Sequence, residues 1–373
     1  MQAPLHPDGG RVANPALSPA AGWRPRVSVV LPIRNEADHI EVCLERLLQQ
    51  DYPTERLEIL VIDGCSDDAT REAVQGVQER YPDARVRLLH NPQRTVPPAL
   101  NIGIRAASGT VIVRMDGHTV PAPDYVSRCV DVLARSGAAN VGGVIEPEGP
   151  TPFGQAVAIA SSHWLGAGDA KYRIGGTAGD VDTVPFGAFR REAFERVGLF
   201  DESMVRDQDY EFNVRLRTAG ERVHLDPAIR SRYTTRGTAR GLWRQYLQYG
   251  WWKGETWRRH LASFRWRQLG PPAFVAGLLI LAVAGPWSSL AALGLVSAAT
   301  VYLATVAAIA WPMRRPQASF THIALAFLIM HVAYGLGVLL WAISLGRFPY
   351  RARAPDVPRL DATVHEPSGE VNR

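Results

Sequence analysis

The sequence predicts an α/β domain of Rossmann-like architecture, a mostly parallel sheet with flanking helices, followed by C-terminal transmembrane helices. Between residues 26 and 145, short runs rich in Val, Ile and Leu alternate with segments of helical spacing. No charged residue occurs in 271–311, and a second apolar run covers 320–345. A bilayer core needs about 20 apolar residues per helix. The first apolar run is therefore long enough for two membrane spans, and the second is long enough for one.

Composition narrows the class of protein. The chain has 373 residues, 46% of them hydrophobic, which is enough for a sizeable core. Its 41 basic and 36 acidic residues leave a net charge of +5. This excess is small and dispersed, so we expect no nucleic-acid partner. The three cysteines lack the spacing of a zinc site or a disulfide framework.

The strands and helices of the first domain follow in a regular order. Strands are predicted at 27–33, 57–63, 85–89 and 110–116, and helices at 37–49, 67–80, 96–107 and 123–135. This alternation is typical of a parallel sheet with crossover helices. Ligands of such sheets bind outside the carboxyl ends of the strands. Three polar clusters converge there, at 32–36, 63–68 and 116–118.

Two of these clusters carry chemistry that can be read from the residues. Asp63 ends a buried strand and can accept hydrogen bonds from an imide or a ribose hydroxyl, although Asp is also a common turn former and helix cap. Asp116 and His118 flank one glycine and can face a divalent ion that bridges two phosphates. A solvated loop histidine is the alternative. Because imidazole is an unusual ligand for Mg²⁺, Mn²⁺ suits this pair at least as well.

Four segments together carry a resemblance to a known family. They are VSVVLPIRNE at 27–36, VIDGCSDDAT at 61–70, VRMDGH at 113–118 and RDQDYEFNVRLR at 206–217. In this order they resemble the signatures of family 2 glycosyltransferases with the GT-A fold. The resemblance covers roughly residues 26–260 and is nearest to the membrane-associated glucosyltransferases of succinoglycan-type exopolysaccharide assembly.

The resemblance implies a donor site for a UDP-sugar. Asp63 matches the aspartate that binds the uracil and ribose side of the nucleotide, and Pro32 and Glu36 line the same pocket. Asp116 and His118 stand where the family usually has D-x-D, so His118 departs from the pattern. The implied cofactor is a divalent cation, Mg²⁺ or Mn²⁺.

The resemblance also implies the catalytic base. Asp209 matches the aspartate of the family's Glu-Asp pair, Gln208 replaces the glutamate, and Glu211 is a supporting acid. Inverting transfer needs one carboxylate to accept the proton of the attacking hydroxyl. The alternative is that Asp209 is a surface acid at the start of a helix that runs to about Arg217.

Two later segments are predicted to form the acceptor side. Phe186 and Gly187 precede a helical run at 192–197, where a plain strand and cap is the alternative. Segment 245–253 occupies the place of the family's Q-x-x-R-W motif and retains Gln248 and Trp252, with Trp251 where the arginine is expected. These tryptophans can stack on sugars, and they also suit an interfacial membrane anchor.

The apolar part predicts two to three membrane helices within 271–345, with a turn at 286–289. The first span is short, so a re-entrant hairpin is the alternative. Arginine clusters predict a cytoplasmic catalytic domain, although a third crossing places the last cluster outside, against the positive-inside tendency. These clusters are Arg258, Arg259, Arg265 and Arg267, then Arg314 and Arg315, and finally Arg347, Arg351 and Arg353.

We therefore interpret the chain as a flexible segment 1–25, a glycosyltransferase domain 26–260, a membrane region 271–345 and a polar tail 346–373. The predicted activity is inverting transfer of a hexose, with glucose as first guess, from a UDP-sugar to a lipid-linked saccharide at the inner membrane. Two alternatives stay open, a processive polysaccharide synthase and a catalytically inactive sugar-nucleotide-binding partner. A nicotinamide-binding domain is disfavoured because no G-x-G-x-x-G follows the first strand.

Overall fold

The computed structural model describes residues 22–344. Its strands are β1 Val27–Ile33, β2 Leu57–Asp63, β3 Val86–His90, β4 Val111–Arg114, β5 Thr119–Pro121, β6 Asn140–Glu148, β7 Gly179–Asp180, β8 Ala188–Arg190 and β9 Val223–Thr234. The helices of the first part are α1 Ile40–Leu48, α2 Thr70–Arg80, α3 Val96–Ala106, α4 Tyr125–Ser136, α5 Pro152–Ser161, α6 Trp164–Ala167, α7 Lys171–Ile174, α8 Arg191–Val197 and α9 Gln208–Thr218. Four longer helices follow, α10 Ala239–Arg259, α11 Gly270–Ala284, α12 Ser289–Met313 and α13 Phe320–Ile343.

The first half of the sheet confirms the predicted strand–helix alternation. β1 pairs in parallel with β2 and β4, and β2 pairs in parallel with β3. Every residue of β1, β2 and β4 is buried, which explains why these strands read as continuous apolar runs. The carboxyl ends of these three strands meet at one edge of the sheet.

The second half makes the sheet mixed rather than mostly parallel. Within the described residues, the strand order is β3-β2-β1-β4-β8-β6-β9-β5, with β7 beside β9. β8 runs antiparallel to both β4 and β6, while β6 and β9 are parallel with an irregularity between Gly142 and Val144. The predicted fold class of a sheet with flanking helices and C-terminal apolar helices is confirmed.

The last three helices are long and apolar enough to cross a membrane, over Gly270–Trp287, Ser289–Met313 and Phe320–Ile343. They differ in their contacts, because half of the apolar window of α13 is buried within the protein but only 6% of that of α12. α13 packs along α10 at glycine positions. A Cβ atom on Gly250 would lie 2.0 Å from the carbonyl oxygen of Tyr334, and one on Gly254 would lie 2.2 Å from the ring of Trp341. These glycines let the two helix backbones approach closely.

Candidate active site

A cleft of about 1480 Å³ opens at the carboxyl ends of β1, β2 and β4 and continues as far as α11, α12 and α13. Seven of the predicted site residues line it: Pro32, Glu36, Asp116, His118, Phe186, Gln208 and Asp209. The structure does not bring six others to the surface of the cleft: Asp63, Gly187, Glu211, Gln248, Trp251 and Trp252.

The guanidinium of Arg114 contacts the carboxylates of both Asp116 and Asp209. Its Nη2 lies 2.8 Å from Asp116 Oδ1, and its Nη1 lies 2.9 Å from Asp209 Oδ2. The Arg114 side chain is only 7% exposed, and its guanidinium carbon lies 5.3 Å from the centre of the Phe186 ring. Because Arg114 ends β4, the sheet fixes it, and its guanidinium holds the two aspartate carboxylates near each other.

Asp209 sits in the first turn of α9 with one oxygen free. Asp207, just before it, adopts a left-handed conformation with φ 63°, and its carboxylate accepts hydrogen bonds from Lys253 and Thr256. Asp209 Oδ1 is buried and has no hydrogen-bond partner among residues 22–344. Burial raises the pKa of Asp209 above its ordinary value, Arg114 opposes this, and the charges of Asp116 and Asp207 add to the rise. A carboxylate with a raised pKa at the wall of a cleft can accept a proton.

The turn after β4 is built around a carboxylate–imidazole pair. His118 Nδ1 donates a hydrogen bond to Glu36 Oε1 at 2.8 Å. Gly117 makes this possible, because a Cβ there would lie 2.9 Å from Ile33 Cγ2 and 3.3 Å from Glu36 Cγ. Burial alone would lower the pKa of His118, but the Glu36 hydrogen bond and the nearby charge of Asp116 outweigh it and raise the pKa.

The donor set at this turn suits a divalent ion that the substrate helps to bind. The described residues contain no group of three His, Cys, Asp or Glu side chains placed to hold a metal. Asp116 and His118 supply one oxygen and one nitrogen, and Glu36 fixes the imidazole as an outer carboxylate commonly does. Such an ion would neutralise a departing diphosphate. With two protein ligands, the diphosphate oxygens would complete the coordination.

Asp63 is withdrawn from the cleft. Its side chain is 2% exposed, and it accepts hydrogen bonds from the backbone nitrogen and the hydroxyl of Ser66 and from the guanidinium of Arg71. Burial alone would raise the pKa of Asp63, but these hydrogen bonds lower it below the ordinary value. In this structure Asp63 orders the turn at 64–66, and Gly64 is the residue there that faces the cleft.

The predicted acceptor residues separate into two groups. Phe186 lines the cleft in a left-handed conformation, φ 46°, and its carbonyl accepts a hydrogen bond from the Tyr125 hydroxyl. Gly187 lies behind it, where its carbonyl accepts a hydrogen bond from the backbone nitrogen of Arg114. Trp251 and Trp252 are 4% and 7% exposed and pack in a cluster with Met204, so their rings do not face a sugar.

The remaining supporting residues hold α9 and its surroundings. Glu211 is bound by Arg215 and His260, which places its carboxylate outside the cleft. Gln248 accepts a hydrogen bond from Arg206 at 3.2 Å. Gln208 is nearly buried but reaches the cleft wall.

Sequence reasoning missed Arg114, which contacts both aspartates of the cleft. It lies within the quoted segment VRMDGH, and it is the one charged residue of an otherwise apolar strand. A charged side chain in a fully buried strand needs a charged partner. An arginine in an otherwise apolar strand was therefore the sequence signal that could have identified Arg114.

The chain is similar in sequence and in fold to known glycosyltransferases. The model of glycosyl transferase family 2 matches residues 28–198. The succinoglycan biosynthesis protein ExoA of Rhizobium meliloti (strain 1021) is 30% identical over 313 residues, which cover 83% of this chain and 92% of that protein. The chain therefore belongs to glycosyltransferase family 2.

Two further relatives show how widely the similarity extends. A dolichyl N-acetyl-alpha-D-glucosaminyl phosphate 3-beta-D-2,3-diacetamido-2,3-dideoxy-beta-D-glucuronosyltransferase of Methanococcus voltae is 28% identical over 265 residues, 69% of this chain and 82% of that protein. Among solved structures, the mannosyltransferase PcManGT from Pyrobaculum calidifontis, in complex with GDP-Man and Mn²⁺, has a TM-score of 0.59 and 25% identity. That similarity covers 85% of this chain and 88% of the mannosyltransferase.

Proposed function

We propose that the protein is an inverting hexosyltransferase that uses a UDP-sugar, with UDP-glucose as first guess, and extends a lipid-linked saccharide in exopolysaccharide or cell-surface polysaccharide assembly. The observation that carries this proposal is the Arg114 guanidinium, which holds Asp116 and Asp209 on one side of a single cleft. A donor diphosphate next to Asp116 and an acceptor hydroxyl next to Asp209 would then share one sugar ring.

The reaction follows from these positions. The acceptor hydroxyl attacks the anomeric carbon, and the Asp209 carboxylate takes its proton as the new bond forms. The bond between the anomeric carbon and the diphosphate oxygen breaks, and the nucleoside diphosphate leaves with its electron pair. One carboxylate is sufficient because the nucleophile arrives on the face opposite the leaving group, which inverts the configuration. Asp116 and His118 are the residues that would hold a divalent cation for the donor, Mn²⁺ or Mg²⁺.

The membrane helices support an acceptor confined to the bilayer. The cleft is one continuous space from Asp116 to the walls formed by α11, α12 and α13. Anchoring enzyme and acceptor in one membrane raises their effective concentration for each other. We propose that the catalytic domain faces the cytoplasm, because Arg258, Arg259, Arg314 and Arg315 flank the first two apolar helices. The arginines at 347–353, on which the predicted orientation of the third span depends, lie outside the described residues.

The function is tested with the full chain in native membranes. The membranes are supplied with radiolabelled UDP-glucose, UDP-galactose or GDP-mannose, and lipid-extractable label is measured. We expect incorporation from one UDP-hexose, addition of a single residue to a defined primer, and a product whose anomeric configuration is opposite to that of the donor. Retained configuration would contradict the inverting mechanism. Long products would indicate a processive synthase, and label from none of the donors would contradict the proposed activity.

A further inference from the structure

Six basic residues in the wall of the cleft lack a carboxylate partner within residues 22–344, namely Arg34, Arg94, Lys171, Arg173, Arg206 and Arg236. Two of these arginines lie together in one recess. Arg173 lies on α7 and Arg236 lies just before α10, and both line the cleft. Within residues 22–344, no Asp or Glu oxygen lies within 4.0 Å of a side-chain nitrogen of either one. Three other cations of the same wall are paired: Arg114 with Asp116 and Asp209, Lys253 with Asp207, and Arg265 with Asp182. An arginine without a counter-charge in a cleft is ready to bind an anion.

Tyrosine hydroxyls surround these two arginines. Tyr233, Tyr246 and Tyr249 line the cleft beside them, and the five side chains also line one small recess. The rings of Tyr246 and Tyr249 lie 5.5 Å apart, and the Tyr249 hydroxyl accepts a hydrogen bond from Gln245. Burial raises the pKa of Tyr233 to about 12, so its hydroxyl keeps its proton. Guanidinium and phenol groups together supply the donors that phosphate oxygens accept.

This cluster lies where the soluble part meets the apolar helices. Tyr246 and Tyr249 belong to α10, which packs along α13. Beyond them, the wall of the cleft consists of Phe274 from α11, Tyr302 from α12, and Met330, His331 and Tyr334 from α13. The wall on the membrane side is therefore mainly aromatic, and the Tyr302 hydroxyl and the His331 imidazole hydrogen-bond to each other. On the other side, Arg236 is close enough to His118 to oppose the rise of its pKa.

We propose that Arg173 and Arg236 bind the diphosphate that links sugar and lipid in the acceptor, while the lipid chain lies in the groove formed by α11, α12 and α13. This inference rests on the proposed function and adds a binding site to it. A donor nucleotide also carries a diphosphate. We assign the arginines to the acceptor because their recess is shared with Tyr246 and Tyr249 of α10, which packs along α13, and because Asp116 and His118 serve the donor in the proposed function.

The test uses the full chain in detergent and measures binding without turnover. The variants are Arg173→Gln and Arg236→Gln, and the probes are farnesyl diphosphate, farnesol, and UDP with Mn²⁺. The matched control is Arg244→Gln, which removes an exposed arginine of α10 that does not line the cleft. We expect each cleft variant to weaken farnesyl diphosphate binding about tenfold or more, since a charge-assisted hydrogen bond is lost. Farnesol and UDP should bind as in the wild type, and the control should change nothing.

Two outcomes overturn the inference. If UDP binding weakens as much as farnesyl diphosphate binding, the arginines serve the donor. If farnesyl diphosphate binds the variants as tightly as the wild type, the arginines bind no lipid diphosphate. Arg236→Lys, which keeps the charge, should recover part of the affinity and so distinguishes charge from local structure. The proposed activity fails separately, in the radiolabel assay, because these measurements do not depend on transfer.

Discussion

The two ends of the cleft differ in how their polar groups are satisfied. At the strand ends, Asp63 is bound by Ser66 and Arg71, and Asn35 exchanges hydrogen bonds with Asp67. At the membrane side, Arg173 and Arg236 lie among tyrosines and have no carboxylate partner among the described residues. The turns at the strand ends are therefore organised before any ligand arrives, while both ends leave positive charge for a ligand to neutralise, from Arg34 and Arg94 at the strand ends and from Arg173 and Arg236 at the membrane side.

The difference teaches where rigidity is used. Preformed hydrogen bonds keep the turns at 64–66 and 116–118 in one geometry, which lowers the ordering cost of binding a nucleotide. Arg114 joins Asp116, at the strand ends, to Asp209 on α9. The following changes test this division, from the largest expected effect to the smallest.

Asp209→Asn removes the proposed catalytic base. We expect kcat to fall about 10³-fold, within the usual range for losing general base catalysis. Binding of UDP with Mn²⁺, measured by calorimetry, should stay within about twofold, because the amide keeps the shape of the side chain. Undiminished turnover would contradict the assignment and would favour a different base.

Asp116→Ala breaks the donor end. Loss of a carboxylate ligand should weaken Mn²⁺-dependent UDP binding by about 100-fold or more, because losing only an outer carboxylate of a metal site already costs about 10- to 100-fold. Titrations with Mn²⁺ and with EDTA separate the metal-dependent part of the affinity. Equal, metal-independent affinity in both proteins would show that Asp116 has no part in the donor site.

Arg114→Lys disturbs the contacts of this residue with Asp116 and Asp209. One ammonium cannot contact both carboxylates as a guanidinium does, so Asp209 loses part of the charge that opposes its raised pKa. Activity requires deprotonated Asp209, so kcat/KM falls as the pH drops through its pKa. In the variant this fall should begin at a higher pH, with a loss of about tenfold at low pH. A pH–rate profile identical to that of the wild type would separate Arg114 from catalysis.

Gly250→Leu tests how the apolar part is attached. The added side chain would collide with the backbone of α13, so we expect overpacking of about 1–3 kcal/mol and a thermal midpoint lower by several degrees in detergent. Gly277→Leu on α11 is the matched control, because no atom lies within 4 Å of a Cβ there. A similar loss in both variants would contradict close packing of α10 on α13 as the cause.

The parallel half of the fold could be predicted closely. The first two strands have the predicted bounds, because buried apolar runs between turn residues leave few alternatives. The antiparallel pairing of β8 with β4 and β6 could not be predicted. A strand of three residues is too short to show a periodic pattern, and its partners are distant in the sequence.

The site was predictable where a residue acts by its own chemistry and unpredictable where burial decides. Asp116, His118 and Asp209 were found from their motifs and do line one cleft. Trp251 and Trp252 were expected to face a sugar, but whether a tryptophan stacks on a ligand or on a helix depends on the packing of α10, which the sequence does not show. Arg114 was missed because its partners lie at residues 116 and 209.

The burial of α13 has a practical consequence for anyone who wishes to prepare the catalytic part alone. A chain cut before residue 270 would expose the glycine-bearing side of α10 and the cluster of Met204, Trp251 and Trp252 to water. Such a fragment would expose a large hydrophobic surface and would self-associate. Expression trials should therefore keep the C-terminal helices and begin with mild solubilisation.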